Sequence, residues 1–294
     1  MIIDSFDTSE PILKLEHFYG PKGHMIDKCL ILLSDEIFDY VKSNYELKQI
    51  GLIGGSSYQI SIYAFEYKGE LIGVYLAPMG SVLCAGNIAE CAHITGATKF
   101  VMFGSCGALD KEATKGKFVI PTEAYRDEGT SYHFMPPSDF IKINNADKVE
   151  AVFKKLNIPY VKGKAWTTDG FLMETVNKVK KRKEEGCIVV EMELAACQAV
   201  ANHFKLELYD FLQPGDVLIE GDYDKSLLNS ANHNLIKLDI GLKIIEVLLG
   251  QDKAKEIEES EKLITMDRFN SEKNLLTSLR ADLDGESYKS HHPP

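Results

Sequence analysis

Arginine is scarce in this 294-residue chain: four of its 33 basic residues, namely Arg126, Arg182, Arg268 and Arg280. Acidic residues outnumber basic ones, 44 to 33, for a net charge of −11. Phosphate-backbone binding needs concentrated positive charge, so duplex nucleic acid is excluded as the main partner, although a local site for a small anion is not. No run reaches the roughly 18 apolar residues of a membrane span, and no membrane partner is expected. The opening MIIDSFDTSEP has no basic stretch followed by an apolar one, so no secretory leader is expected and the location is read as cytoplasmic. The six cysteines form no CxxC pair, and all but Cys106 lie in apolar segments. That pattern predicts buried free thiols rather than a disulfide framework or a metal site. Neither GxGxxG after the first strand nor GxxxxGK[ST] is present, which excludes the two common glycine-rich phosphate cradles.

With 45% hydrophobic and 26% charged residues the chain reads as an ordinary globular protein, large enough for one large or two modest domains. Short runs rich in Val, Ile, Phe and Tyr predict strands over 28–33, 49–53, 59–66, 71–77, 99–103, 117–121, 161–166, 187–190 and 206–212. Longer amphipathic patterns predict helices over 35–43, 82–95, 145–156, 174–185, 191–204 and 226–249. The mixture of hairpins and strand–helix–strand pieces predicts an α/β domain around a mixed sheet, spanning residues 1–250. After Gly250 the composition turns charged, and residues 251–294 read as a helical extension with a loose tail.

Five segments can carry chemistry. In Phe100–Leu109 an apolar strand runs into a turn with Gly104, Ser105 and Gly107, where backbone and hydroxyl could meet a ligand; a plain strand exit accounts for it as well. Arg126–Phe134 crowds polar residues around a glycine and reads as a binding loop or a charged surface hairpin. Trp166–Phe171 places an aromatic after an Asp-Gly turn, to stack on a flat heterocycle or to fill the core. Cys187–Ala196 ends a buried strand in Glu191 and Glu193, two apart and so not on one face; acidic residues also suit a helix N-terminus. Asp216 follows Pro214-Gly215 just past a strand, where α/β sheets collect ligands and where turns collect Asp.

Together these segments resemble the nucleoside phosphorylase superfamily, in its order and spacing, over roughly residues 15–250. Glu191-Met192-Glu193 matches that family's Glu-Met-Glu signature, and Gly104-Ser105-Cys106-Gly107 is similar to its Gly-Thr-x-Gly turn. Thr168-Asp169-Gly170-Phe171 stands where the family has Ser-Asp-x-Phe, and Arg126–Phe134 is similar to a loop of the uridine phosphorylase branch. The resemblance implies a three-layer α/β sandwich with a central mixed sheet. It implies a homo-oligomer (dimer, trimer or hexamer) with active sites near subunit interfaces. It further implies that Glu193 and Met192 hold a ribose, Phe171 packs on the base and Ser105 sits near the anomeric carbon. Gly104 and Arg126 are carried over as substrate-binding. His17 falls about where a neighbouring subunit's His reaches the 5′-hydroxyl. Asp216 falls where the purine-cleaving branches keep a catalytic Asp, whereas Thr175 and Asn177 stand where uridine phosphorylases read uracil with Gln and Arg.

The expected reaction is cleavage of the N-glycosidic bond of a ribonucleoside, purine favoured, without a cofactor. A carboxylate on the sugar hydroxyls stabilises the cationic ribose, and a carboxylic acid at N7 neutralises the departing base. Inorganic phosphate as co-substrate meets an obstacle. The family's Gly-Asp-Pro-x-Arg turn is Ser34-Asp35-Glu36-Ile37-Phe38 here, and Met102 replaces an arginine. Guanidinium forks are the usual phosphate grip, so water is a serious candidate as acceptor, with a phosphate site of main-chain N–H groups and Ser105 still open. Two other functions compete: a catalytically silent nucleoside-binding or storage protein on the same fold, and a uridine phosphorylase.

Overall fold

The computed structural model describes residues 2–219 and 222–252. The proposed extension at 251–294 therefore lies almost wholly outside the described residues. The helices are α1 (Glu16–Tyr19), α2 (Asp35–Asn44), α3 (Ser81–Thr95), α4 (Lys111–Thr114), α5 (Ser131–Phe134), α6 (Ala146–Leu156), α7 (Val176–Glu184), α8 (Leu194–Phe204), α9 (Leu228–Asn232) and α10 (Ile236–Asp252). The strands are β1 (Lys28–Leu32), β2 (Lys48–Gly54), β3 (Gln59–Tyr67), β4 (Glu70–Leu76), β5 (Lys99–Ala108), β6 (Phe118–Asp127), β7 (Phe140–Lys142), β8 (Tyr160–Thr168), β9 (Cys187–Glu191), β10 (Glu207–Ile219) and β11 (Asp222–Asp224).

Among the described residues these eleven strands form one mixed sheet, ordered β11-β10-β6-β8-β9-β5-β1-β4-β3-β2, with β7 on β6. β10 also pairs with β5, so β5, β9, β8, β6 and β10 close into a ring at one end. β1 runs parallel to both β4 and β5, and β5 parallel to β10, so their carboxyl ends lie on one side. Such strands are buried on both faces and read as continuous apolar runs; β1 is buried along its whole length. The small residues of α3 and α8 pack on one face, around Cys84, Ile88, Leu194 and Val200. On the other face α2, α6 and α10 enclose Ile37, Phe153, Phe211 and Ile240. All six cysteines are free and buried. No helix among the described residues is long and apolar enough to cross a membrane, and no cluster of potential metal ligands is found among them.

Three sequence expectations are corrected. The segment 104–107, expected as a turn, belongs to β5, because pairing with β10 and β9 carries the strand on to Ala108. Gly107 serves that pairing: a Cβ there would stand 2.6 Å from Leu218 and 2.9 Å from Val190. Asp216 lies inside β10, which runs on to Ile219, rather than after it. The single helix expected over 226–249 is two. Asn234 interrupts it by accepting the N–H of Ile236 with its side chain (3.1 Å) and so starting α10.

Phe211 is fully buried, with its ring 5.5 Å from Phe103, 6.0 Å from Phe118 and 5.4 Å from Phe153. Phe211→Ala should cost about 3–5 kcal/mol, read as a lowered urea midpoint at an unchanged slope.

Candidate active site

At the carboxyl ends of the parallel strands lies a cavity of about 1210 Å³. Each wall has a local cause. β9 ends in Glu191, whose buried carboxylate accepts the backbone N–H groups of Glu193 (2.7 Å) and Leu194 (2.6 Å) and the hydroxyl of Thr167. Glu191 thereby satisfies N–H groups that would be orphaned at the start of α8. The turn this forces sends Met192 and Glu193 into the cavity wall. Glu193 accepts the N–H of Gly80 (2.7 Å), just before α3, and Gly80 has a φ of +105° that suits only glycine. Burial raises both carboxyls, with Glu193 adding to the rise at Glu191, which reaches about 8.

Asp216 reaches the cavity through a bulge. Gln213 pairs with Ser105 and Asp216 with Gly107, while Gly215 is the extra residue between. The insertion puts Asp216 on the face that Ser105 presents to the cavity. Only glycine fits at 215, because a Cβ would lie 2.9 Å from Ala231 of α9 and 3.1 Å from the Leu228 backbone. The half-buried Asp216 carboxyl is raised by desolvation, against a hydrogen bond donated by Tyr223. Glu174, also in the wall, is pushed up to about 7 by burial and by Asp216. Phe171, 52% exposed, lines the same space.

A third group closes the region next to Ser105. The Ser105 hydroxyl donates to Asn232 Oδ1 at the end of α9, and His233 follows it in the wall. Lys237, buried in the first turn of α10, donates to the carbonyls of Ala231 (2.5 Å) and Asn232 (3.2 Å) and fixes this end of α9. Burial lowers the Lys237 amine to about 7.

The cavity thus gathers Glu193, Met192, Phe171, Ser105 and Asp216 from four distant stretches of chain. The other expected residues stand elsewhere. Gly104 lies within β5 beneath Leu33 and outside the wall. Arg126 is buried against its own loop, donating to Ser131 (2.7 Å), Ser138 (3.0 Å) and the carbonyl of Pro136 (2.7 Å), with its guanidinium over the Tyr132 ring. It ties down the segment after β6 and does not line this cavity. His17 is exposed on α1 and does not line the cavity of its own chain. Thr175 and Asn177 are also outside the wall. Arg182 ion-pairs with Glu185 and covers Tyr125, so no arginine among the described residues lines the cavity.

Sequence reading missed Glu174, Tyr223, Asn232 and His233. The last two carried a signal: Asn232-His233-Asn234 is a polar break within an apolar helical pattern.

Residues 36–212 match the family model described as the Phosphorylase superfamily. Purine nucleoside phosphorylases of the DeoD type from Bacillus cytotoxicus and from Bacillus cereus are each 26% identical over 161 residues, 53% of this chain and 68% of theirs. The crystal structure of an AMP nucleosidase from Bacteroides thetaiotaomicron superposes with a TM-score of 0.60 at 16% identity, over 78% of this chain and 91% of that one.

The raised carboxyls have a consequence for stability. Folded Glu191, Glu174 and Asp239 (about 8, 7 and 6) hold protons that the unfolded chain has released above its ordinary carboxyl range. Stability should therefore fall as pH rises from about 5 to 6, below the range where Lys237, at about 7 when folded, begins to differ between the two states. Urea midpoints across that range check the sign, and Glu191→Gln should flatten the fall.

Proposed function

The chain belongs to the phosphorylase superfamily, and from that premise we propose that it hydrolyses the N-glycosidic bond of purine ribonucleosides. The observation that carries this reading is a half-buried Asp216 with a raised carboxyl in the same cavity as Glu193. A purine leaves poorly as an anion. Asp216 donates its proton to N7 as the bond to C1′ lengthens, a contribution of about 10²–10⁴-fold. Glu174 beside it favours the protonated form, because two carboxylates that close do not both ionise readily. Glu193 accepts from the ribose hydroxyls and offsets the positive charge that grows on the sugar. Met192 packs beneath the ribose and Phe171 on the base.

Purine rather than uracil is supported by Asp216, by the absence of Thr175 and Asn177 from the wall, and by the name of the DeoD-type relatives. Water rather than phosphate is supported by the lack of a guanidinium fork: no arginine among the described residues lines the cavity, and its cations Lys180 and Lys183 are point charges.

A panel of inosine, adenosine and uridine, assayed with and without phosphate, tests the reading. The expected result is free ribose from the purine nucleosides at a rate indifferent to phosphate, with uridine slower. Asp216→Asn should lose about 10²–10⁴-fold on purines, since the amide hydrogen-bonds but delivers no proton. Glu193→Gln should fold and lose most turnover. Because Asp216 must be protonated, the wild-type rate on purines should fall as pH rises through its raised pKa. A strict phosphate requirement with ribose 1-phosphate as product, or uridine cleaved as fast as any purine, overturns the proposal.

A further inference from the structure

We propose that His233 is the general base that takes a proton from the attacking water, an inference that rests on the hydrolytic reading above. His233 lies in the cavity wall directly after Asn232, whose side chain is bonded to Ser105. Its ring lines the cavity and is 23% exposed. Nδ1 stands 2.9 Å from the Ser34 hydroxyl, which also accepts the N–H of Ile37 as the cap of α2 (3.2 Å). In the role proposed, Nδ1–H donates to Ser34 and Nε2 is the basic nitrogen. Lys237 anchors the adjacent carbonyls, so the ring is carried on a fixed helix end rather than a free loop.

Asp35 Oδ1 stands 3.7 Å from Nδ1 and Glu36 Oε1 3.8 Å from Nε2, both on the exposed first turn of α2.

The step balances. One proton of water passes to Nε2 as the water oxygen bonds to C1′. The C1′–N9 electron pair leaves with the purine, which takes the Asp216 proton at N7. Ribose and the neutral purine depart, His233 releases its proton to solvent and Asp216 takes one back.

Two substrates separate the acid from the base. Inosine needs a protonated leaving group, whereas a p-nitrophenyl β-riboside does not. His233→Ala should lower kcat about 10²-fold on both substrates with little change in KM, and Asp216→Asn should be slow on inosine alone. Added imidazoles should restore the Ala variant, faster as their basicity rises, with free ribose as product. Filling a hole for structural reasons would not follow basicity. His233→Gln, which keeps a hydrogen bond to Ser34 but accepts no proton, should be as slow as the Ala variant at a wild-type melting temperature. Wild-type hydrolysis with His233→Gln equally fast, or a slow Ala variant that no imidazole restores, overturns the assignment of the base alone. A wild-type protein that requires phosphate overturns both this assignment and the hydrolytic reading.

Discussion

The carboxylate of Glu191 is the interaction on which the site depends. It is buried at the end of β9, where it closes the first turn of α8 through two backbone N–H groups and takes the Thr167 hydroxyl from β8. An apolar residue there would leave those N–H groups unpaired, at a cost of about 1–3 kcal/mol each. With the turn fixed, Met192 and Glu193 have one direction to face, and the N–H of Gly80 receives Glu193 from the start of α3. The two acids, which their spacing keeps off one face, divide the labour, one carboxyl holding the backbone and the other facing the cavity.

A second constraint is the close approach of α9 to β10. Gly215 lets the helix lie against the bulged strand, and the bulge turns Asp216 toward Ser105 and Gly107. The same helix ends in Asn232 and His233, pinned by the buried Lys237. The acid, the Ser105 hydroxyl and the imidazole are thus delivered by one packing arrangement. A change that pushed α9 away would disturb all three together.

The acidic groups of the cavity are shifted toward protonation. Burial raises Glu174, Glu191, Glu193 and Asp216, with Asp216 adding at Glu174 and Glu193 at Glu191, while N–H groups of Gly80 and Met192 hold Glu193 back toward its charged form. Lys180 and Lys183 stand in the wall as the cations that can offset this, while Lys178 is held by Asp127, Arg182 by Glu185 and Tyr125, and Arg126 by its own loop. A site that retains protons suits a reaction whose leaving group must be protonated and whose acceptor is uncharged.

The sequence by itself determined the α/β class, the central strands and the family. Apolar runs such as Lys28–Leu32 and amphipathic ones such as Ala146–Leu156 are set by local periodicity, and Glu191-Met192-Glu193 is a short motif whose identity needs no fold. Tertiary structure decided where β5 and β10 end, since a strand continues as long as a neighbour pairs with it and that neighbour is about 110 residues away along the chain. It decided that Arg126 faces its own loop and away from the cavity, because the carbonyls of Met135 and Pro136 come within reach only after that loop folds back. It also decided that Glu174, Tyr223 and His233 join Asp216, Glu193 and Ser105. Side chains from separate elements meet through packing, and no local pattern along the chain encodes which distant surfaces pack together.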